Sequence, residues 1–150
     1  AIGCAKGEYI KVLYMDDYFT NENSLQELVD AITEETKWLV SGCIHDHGDG
    51  YLRNPHVPSY SKDIHTGNNT IGSPSVLLME RKSALLFDER LSWLLDCDLY
   101  KRLYDKYGLP TILPSPNIAI GIHKGQTSNI MPSEAKLAEH KLLEKKKYGK

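Results

Sequence analysis

Long apolar runs are missing from this sequence. No stretch approaches the ~20 consecutive apolar residues of a membrane-spanning helix, so no span is expected. The opening residues do not read as a signal peptide. Cysteine is scarce: Cys4, Cys43 and Cys97 are odd in number and far apart. That excludes a disulfide framework and a cysteine-built zinc site. The three read as small, reduced core residues of a cytosol-like compartment. Neither sign of charge is in excess. A net charge of −2 gives no electrostatic reason to expect nucleic acid or an anionic membrane surface as partner. A start methionine is also absent.

What is present has the make-up of an ordinary globular domain, 41% hydrophobic and 25% charged over 150 residues, which is one domain's worth of chain. The sequence is organised around the stretch Lys11 to Phe19. Val12, Leu13 and Tyr14 lead into the adjacent acids Asp16 and Asp17. A short apolar run that stops at acids reads as a buried strand of an α/β sheet. Ligands in such sheets sit beyond the carboxyl ends of the strands. Both carboxylates would then stand at a site mouth, where hard oxygen ligands suit Mg²⁺ or Mn²⁺ bridged to phosphates. The competing reading is that Asp16 or Asp17 only caps the following turn.

Along the chain, Ala1 to Ala5 reads as the end of a helix stopped by Gly7, and Tyr9–Met15 as the first strand. Ser24 with Glu27 forms a capping-box pattern, and Leu25, Leu28, Val29 and Ile32 make one apolar helix face. Trp38–Cys43 is the next strand. Residues 44–69 show no periodicity and predict a long loop that covers substrate. His45, Asp46 and His47 in it invite a metal reading, against the alternative of simple solvation. Tyr51 or Tyr60 could stack on sugars. A buried strand is expected at Val76–Met79, and a helix begins at Asp96, with Leu99, Leu103 and Tyr107 on one face and Gly108 as its end. Thr111–Leu113 and Asn117–Ile122 are two further strands. A helix starting at Ser133 runs toward Tyr148, its basic Lys145–Lys147 run suiting a helix C-terminus.

The flanks of the acidic stretch carry a resemblance. The run Ala5 to Asp17, A-K-G-E-Y-I-K-V-L-Y-M-D-D, resembles the A-x-G-E-Y-I-x-x-L-D-x-D-D segment of inverting glycosyltransferases of family 2. Asp16 falls on the second acid of that metal and nucleotide-diphosphate motif, and Tyr14 departs from its first. Phe87 to Leu103 is similar to the block F-D-E-x-L-x-x-x-E-D-x-D-L-x-x-R-L. There Asp96 matches the acid that serves as catalytic base, and Leu95 replaces the preceding Glu. The stretch from Ile122 to Ser128 resembles R-x-H-x-x-x-x-S, which puts His123 near the diphosphate. The matches cover roughly residues 1 to 130, and the style is similar to transferase domains of large algal viruses.

The resemblance implies a GT-A-like α/β fold, a Rossmann-like mixed sheet with flanking helices. Residues 1–131 would be the central and C-terminal part of that domain and 132–150 a C-terminal helix or tail, with the first nucleoside-binding half missing from the N-terminal side of this sequence. The implied activity moves a sugar from a nucleoside diphosphate, a UDP-sugar, to a glycan or other hydroxyl acceptor with inversion. Mn²⁺ or Mg²⁺ would be held by Asp16 and Asp17, with His123 at the cofactor-binding side and Asp96 as base. Gly72, Ser73, His45 and Asp46 would line the acceptor side. The location implied is cytoplasmic, a host's cytoplasm for a viral protein. A different class of function remains beside it, a non-catalytic α/β module that binds carbohydrate or nucleotide, favoured by the broken acidic motif at Tyr14.

Overall fold

A computed structural model describes residues 2–146 and 148. Ala1, Lys147, Gly149 and Lys150, which belong to the expected opening helix end, the basic run and the tail, lie outside the described residues. The fold is mixed α/β. It divides into two compact units: Ala1–Ser59, Ile71–Ala84 and Pro110–Ile122 form the first, and Tyr60–Thr70, Leu85–Leu109 and His123–Lys150 the second.

The first unit is built on one sheet. Its strands are β1 (Tyr9–Lys11), β2 (Tyr18–Phe19), β3 (Trp38–Asp46), β4 (Leu52–His56), β5 (Leu77–Glu80) and β6 (Thr111–Gly121). They run in the order β1-β5-β3-β6-β2, with β4 also paired to β3. Strand β3 is central because Trp38, Leu39, Val40 and Cys43 bury almost completely, the continuous apolar pattern of a strand covered on both faces. It runs parallel to β6 and antiparallel to β4 and β5. Helix α1 (Ser24–Asp30) adds Leu28 to a cluster with Leu39 and Leu78, against which Tyr9, Phe19, Ile32 and Leu113 pack.

Several expectations change here. The first strand stops at Lys11, not Met15, because its antiparallel partner β5 starts at Leu77 and the preceding Pro74–Val76 is a 3₁₀ turn. Val12 makes the last backbone bond, to the Leu77 carbonyl at 3.2 Å, and Leu13, Tyr14 and Met15 are exposed. The capping box does not form. Asn23 is the N-cap, and Glu27 Oε2 instead accepts from the Asn117 amide at 2.7 Å. Leu25 and Val29 are each 48% exposed, so α1 buries Leu28 rather than a whole stripe.

The expected loop of 44–69 is partly structured. Strand β3 continues to Asp46, and β4 returns beside it with His45 opposite Arg53. The expected pair of strands at 111–113 and 117–122 is one strand. Its Pro114-Ser115-Pro116 segment bulges where the register with β3 shifts at Gly42, a place where proline costs no ladder bond. Gly42 is required there, since a Cβ would lie 2.4 Å from the Pro114 carbonyl oxygen.

The second unit is helical. It holds a 3₁₀ turn at Ile64–Thr66, α2 (Leu95–Tyr107), α3 (Thr127–Ile130) and α4 (Ser133–Lys145). Leu99 and Leu103 are fully buried on α2, as is Ile64 on the turn. Gly108 ends α2, its amide donating to the Tyr104 carbonyl at 2.8 Å. Tyr60 stacks on Tyr104 with ring centroids 4.0 Å apart, so it serves packing inside this unit. Among the described residues no helix is long and apolar enough to cross a membrane.

Candidate functional site

The acidic stretch forms a turn, with the Asp17 amide donating to the Tyr14 carbonyl at 3.2 Å. The two acids part company in it. Asp16 is exposed and Asp17 is buried. Asp17 Oδ1 accepts from the Gly121 amide at 3.1 Å, and Oδ2 from the Ser73 hydroxyl at 3.0 Å. Ser73 Oγ in turn accepts from the Ser75 amide at 3.2 Å, and Ser75 Oγ from the Tyr14 amide at 2.9 Å. The turn is therefore tied both to the segment 73–75 and to the end of β6. Gly121 lets it come close, because a Cβ there would sit 2.3 Å from the Asp16 carbonyl oxygen.

Two neighbours feel this anchoring. Lys11 donates its ammonium to the Ser75 carbonyl. Burial lowers its pKa to about 7, against an upward pull from Asp17. Burial, helped by Asp17, pushes the Cys43 thiol up to about 11, so Cys43 is an inert core thiol.

Gly121 also stands opposite Asp46 in the β3–β6 ladder, and the Ile122 amide donates to the Asp46 carbonyl at 2.7 Å. Asp16 and Asp46 thus flank one glycine at the carboxyl ends of the parallel strands. The Asp46 carboxylate is held by the Tyr18 hydroxyl at 2.6 Å and the Gly48 amide at 2.8 Å. These bonds lower its pKa and raise that of Tyr18. His45 lies beside it, with its pKa lowered by burial and by His47 and His56. The His45 and His47 ring centroids are 6.2 Å apart, edge to face. Gly72 and Ser73 lead into the Pro74–Val76 turn. Asp16, Asp17, Gly72, Ser73, His45 and Asp46 thus all belong to the first unit.

Asp96 and His123 belong to the second unit. Asp96 does not cap α2, whose N-cap is Leu94. It is the second residue of the helix and is half-buried. Its Oδ1 accepts from the Cys97 amide at 2.7 Å and its Oδ2 from the Asn69 side-chain amide at 2.8 Å. Burial raises its pKa to about 6, against the downward pull of those bonds. His123 is exposed just past β6, and its Nδ1 accepts from the Gly125 amide at 3.1 Å.

The capping role falls to Glu139, a residue the sequence pattern does not single out. From α4 its carboxylate accepts from the amides of Ser92 at 2.8 Å, Trp93 at 3.0 Å and Leu94 at 2.8 Å. Its one sequence signal is an acid four residues before Leu143, on the buried stripe of α4. Asn69 was hidden in the expected loop. An open cleft of about 650 Å³ in the same unit is lined by Phe87, Asp88, Arg90, Arg102, Lys146 and Tyr148 among others. The charged side chains among these are all paired. Arg102 Nε and the Tyr148 hydroxyl donate to buried Asp98 at 2.8 and 3.0 Å, and Lys146 bridges Asp98 and Asp88. Arg90 and Lys146 hold the Asp88 carboxyl well below the usual carboxylate range.

Among the described residues no three His, Cys, Asp or Glu side chains group so as to hold a metal ion by themselves. One exposed carboxylate, that of Asp16, fits a hard cation that takes most of its ligands from water and phosphate. Asp17, with each oxygen engaged inside the fold, fits the role of anchor. No family model matches the chain, and no curated protein matches it.

Proposed function

We propose that this chain takes part in inverting glycosyl transfer, moving a sugar from a nucleoside diphosphate, a UDP-sugar, to a hydroxyl of a glycan or similar acceptor. One observation carries the reading. The turn bearing Asp16 is pinned by Asp17 to Gly121 at the carboxyl end of β6, the edge of a parallel pair where ligands of α/β sheets bind. Asp16 would hold Mn²⁺ or Mg²⁺ together with the donor's phosphates. Such an ion, when bound, neutralises charge on the departing diphosphate.

The chain's own groups do the rest. Asp17 and Ser73 fix the turn, so Asp16 needs no reordering on binding. In the transfer the acceptor oxygen bonds to the anomeric carbon while its proton passes to a carboxylate base and the bond to the diphosphate oxygen breaks; the resemblance at Phe87 to Leu103 gives the role of base to Asp96. A carboxyl group with a pKa of about 6 is ionised at neutral pH yet more basic than an ordinary Asp, which suits a general base. His123 would donate to the diphosphate. Asp46, set by Tyr18, and His45 would meet acceptor hydroxyls. The test is calorimetric titration of UDP into the protein with and without Mn²⁺. Binding that requires Mn²⁺ supports the transferase reading. Equal binding without Mn²⁺ overturns it in favour of a non-catalytic nucleotide-binding module.

A further inference from the structure

Asp96 lies at the start of α2, yet one of its hydrogen-bond donors comes from far away in sequence. Asn69 follows the Ile64–Thr66 turn and reaches Oδ2 at 2.8 Å across a separation of 27 residues. The segment that delivers it is well anchored within the second unit. Tyr60 stacks on Tyr104 of α2, Ile64 is fully buried, and a Cβ on Gly67 would meet the His140 ring of α4 at 2.8 Å. Segment 60–70 is therefore built into the unit as a support for α2.

We propose that Asn69 is the positioning residue of Asp96: its side-chain amide fixes the carboxylate's orientation and favours its ionised form. A neutral donor is well suited to this. A cation at the same place would depress the basicity of the carboxylate, and one donor fewer would favour the protonated acid. The other titratable groups around Asp96 are occupied elsewhere or oppose ionisation. On α2, the Cys97 thiol bonds to Asp96 and has its own pKa raised, and Asp98 is paired with Arg102 and Lys146. On α4, Glu139 is taken by the amides of residues 92–94, and His140 stands edge-on to Trp93. On the turn, His65 lies against Tyr148. The importance of Asn69 to catalysis rests on the transfer reaction proposed above. Its hold on Asp96 does not.

The experiment is carboxyl ¹³C NMR of Asp-labelled protein across pH 3 to 9, with the Asp96 signal assigned by its loss in Asp96→Asn. In wild type the signal should titrate at about 6. In Asn69→Ala the midpoint should rise by about one pH unit, the scale of one hydrogen bond to a carboxylate. In Asn69→Asp, equal in size, it should rise at least as far, because a second carboxylate now faces the first. If Asn69→Ala fails to fold, Asn69→Asp carries the test alone. An unmoved midpoint in a folded variant overturns the inference. A raised midpoint in a protein whose UDP binding ignores Mn²⁺ leaves the Asn69–Asp96 coupling standing and removes the reaction. Sugar transfer whose acidic pH limb is unchanged in Asn69→Ala removes the positioning role and keeps the reaction.

Discussion

Replacing Glu139 with alanine would take the acceptor away from the amides of Ser92, Trp93 and Leu94 at once. Those amides lead into α2, and that of Leu94, the N-cap residue, is one of the N–H groups the helix itself leaves unpaired. Glu139 is only 7% exposed, so water cannot freely replace the lost carboxylate. A hydrogen bond to a charged group contributes about 1.5–3 kcal/mol, and losses within one cluster do not add fully. A helix cap lost on its own costs about 0.5–2 kcal/mol. Together these place Glu139→Ala at roughly 2–4 kcal/mol. At about 2–4 °C per kcal/mol for a chain of this size, the melting temperature should fall by roughly 5–15 °C. Glu139→Gln keeps one acceptor oxygen and should lose about half as much. Urea denaturation followed by circular dichroism gives both values. Glu139→Ala within about 0.5 kcal/mol of wild type, the range of an ordinary surface change, would refute the cap.

Gly121→Ala should force the acidic turn off β6, because its Cβ would fall 2.3 Å from the Asp16 carbonyl oxygen; a loss of about 1–3 kcal/mol in denaturation should accompany weakened Mn²⁺-dependent UDP binding. Asp96→Asn should lower transfer by about 10²- to 10⁴-fold with donor affinity nearly unchanged, and wild-type turnover would remove Asp96 as base. The same variant should change the pH dependence of stability. Asp96 keeps its proton up to about 6 when folded, against an ordinary 3.8, so its stabilising contribution is full below 3.8 and is lost as pH rises to about 6. That loss is ~3 kcal/mol, and Asp96→Asn should abolish it in denaturation series across this window.

The elements legible in the sequence are those whose packing repeats locally. Strand β3 shows as a continuous apolar run, α2 as Leu99 and Leu103 at helical spacing before Gly108, and the helix from Ser133 by its composition. The rest depends on partners distant in the chain. Strand β4 is polar and carries Pro55 and a left-handed Asn54 (φ 53°), so only its pairing with β3 makes it a strand. Pro114 and Pro116 read as a break, yet the bulge opposite Gly42 carries β6 through them. At the acidic turn, the pair Asp16-Asp17 is visible as two adjacent acids, but not that Asp17 is buried and Asp16 exposed. Asp17 is held by Ser73 and Gly121, 56 and 104 residues away. The Asn69 and Glu139 contacts likewise join residues 27 and 45 or more positions apart, which no local pattern encodes.

The different settings of Asp16 and Asp17 let one measurement separate metal holding from anchoring. UDP is titrated by calorimetry, with and without Mn²⁺, into wild type, Asp16→Asn and Asp17→Asn, alongside a thermal melt of each. An exposed metal-holding Asp16 predicts that Asp16→Asn melts like wild type and loses the Mn²⁺-dependent part of UDP affinity. An anchoring Asp17 predicts that Asp17→Asn lowers the melting temperature, because a buried acceptor for Gly121 and Ser73 is altered. Mn²⁺-dependent UDP affinity in Asp16→Asn equal to that of wild type would contradict the account.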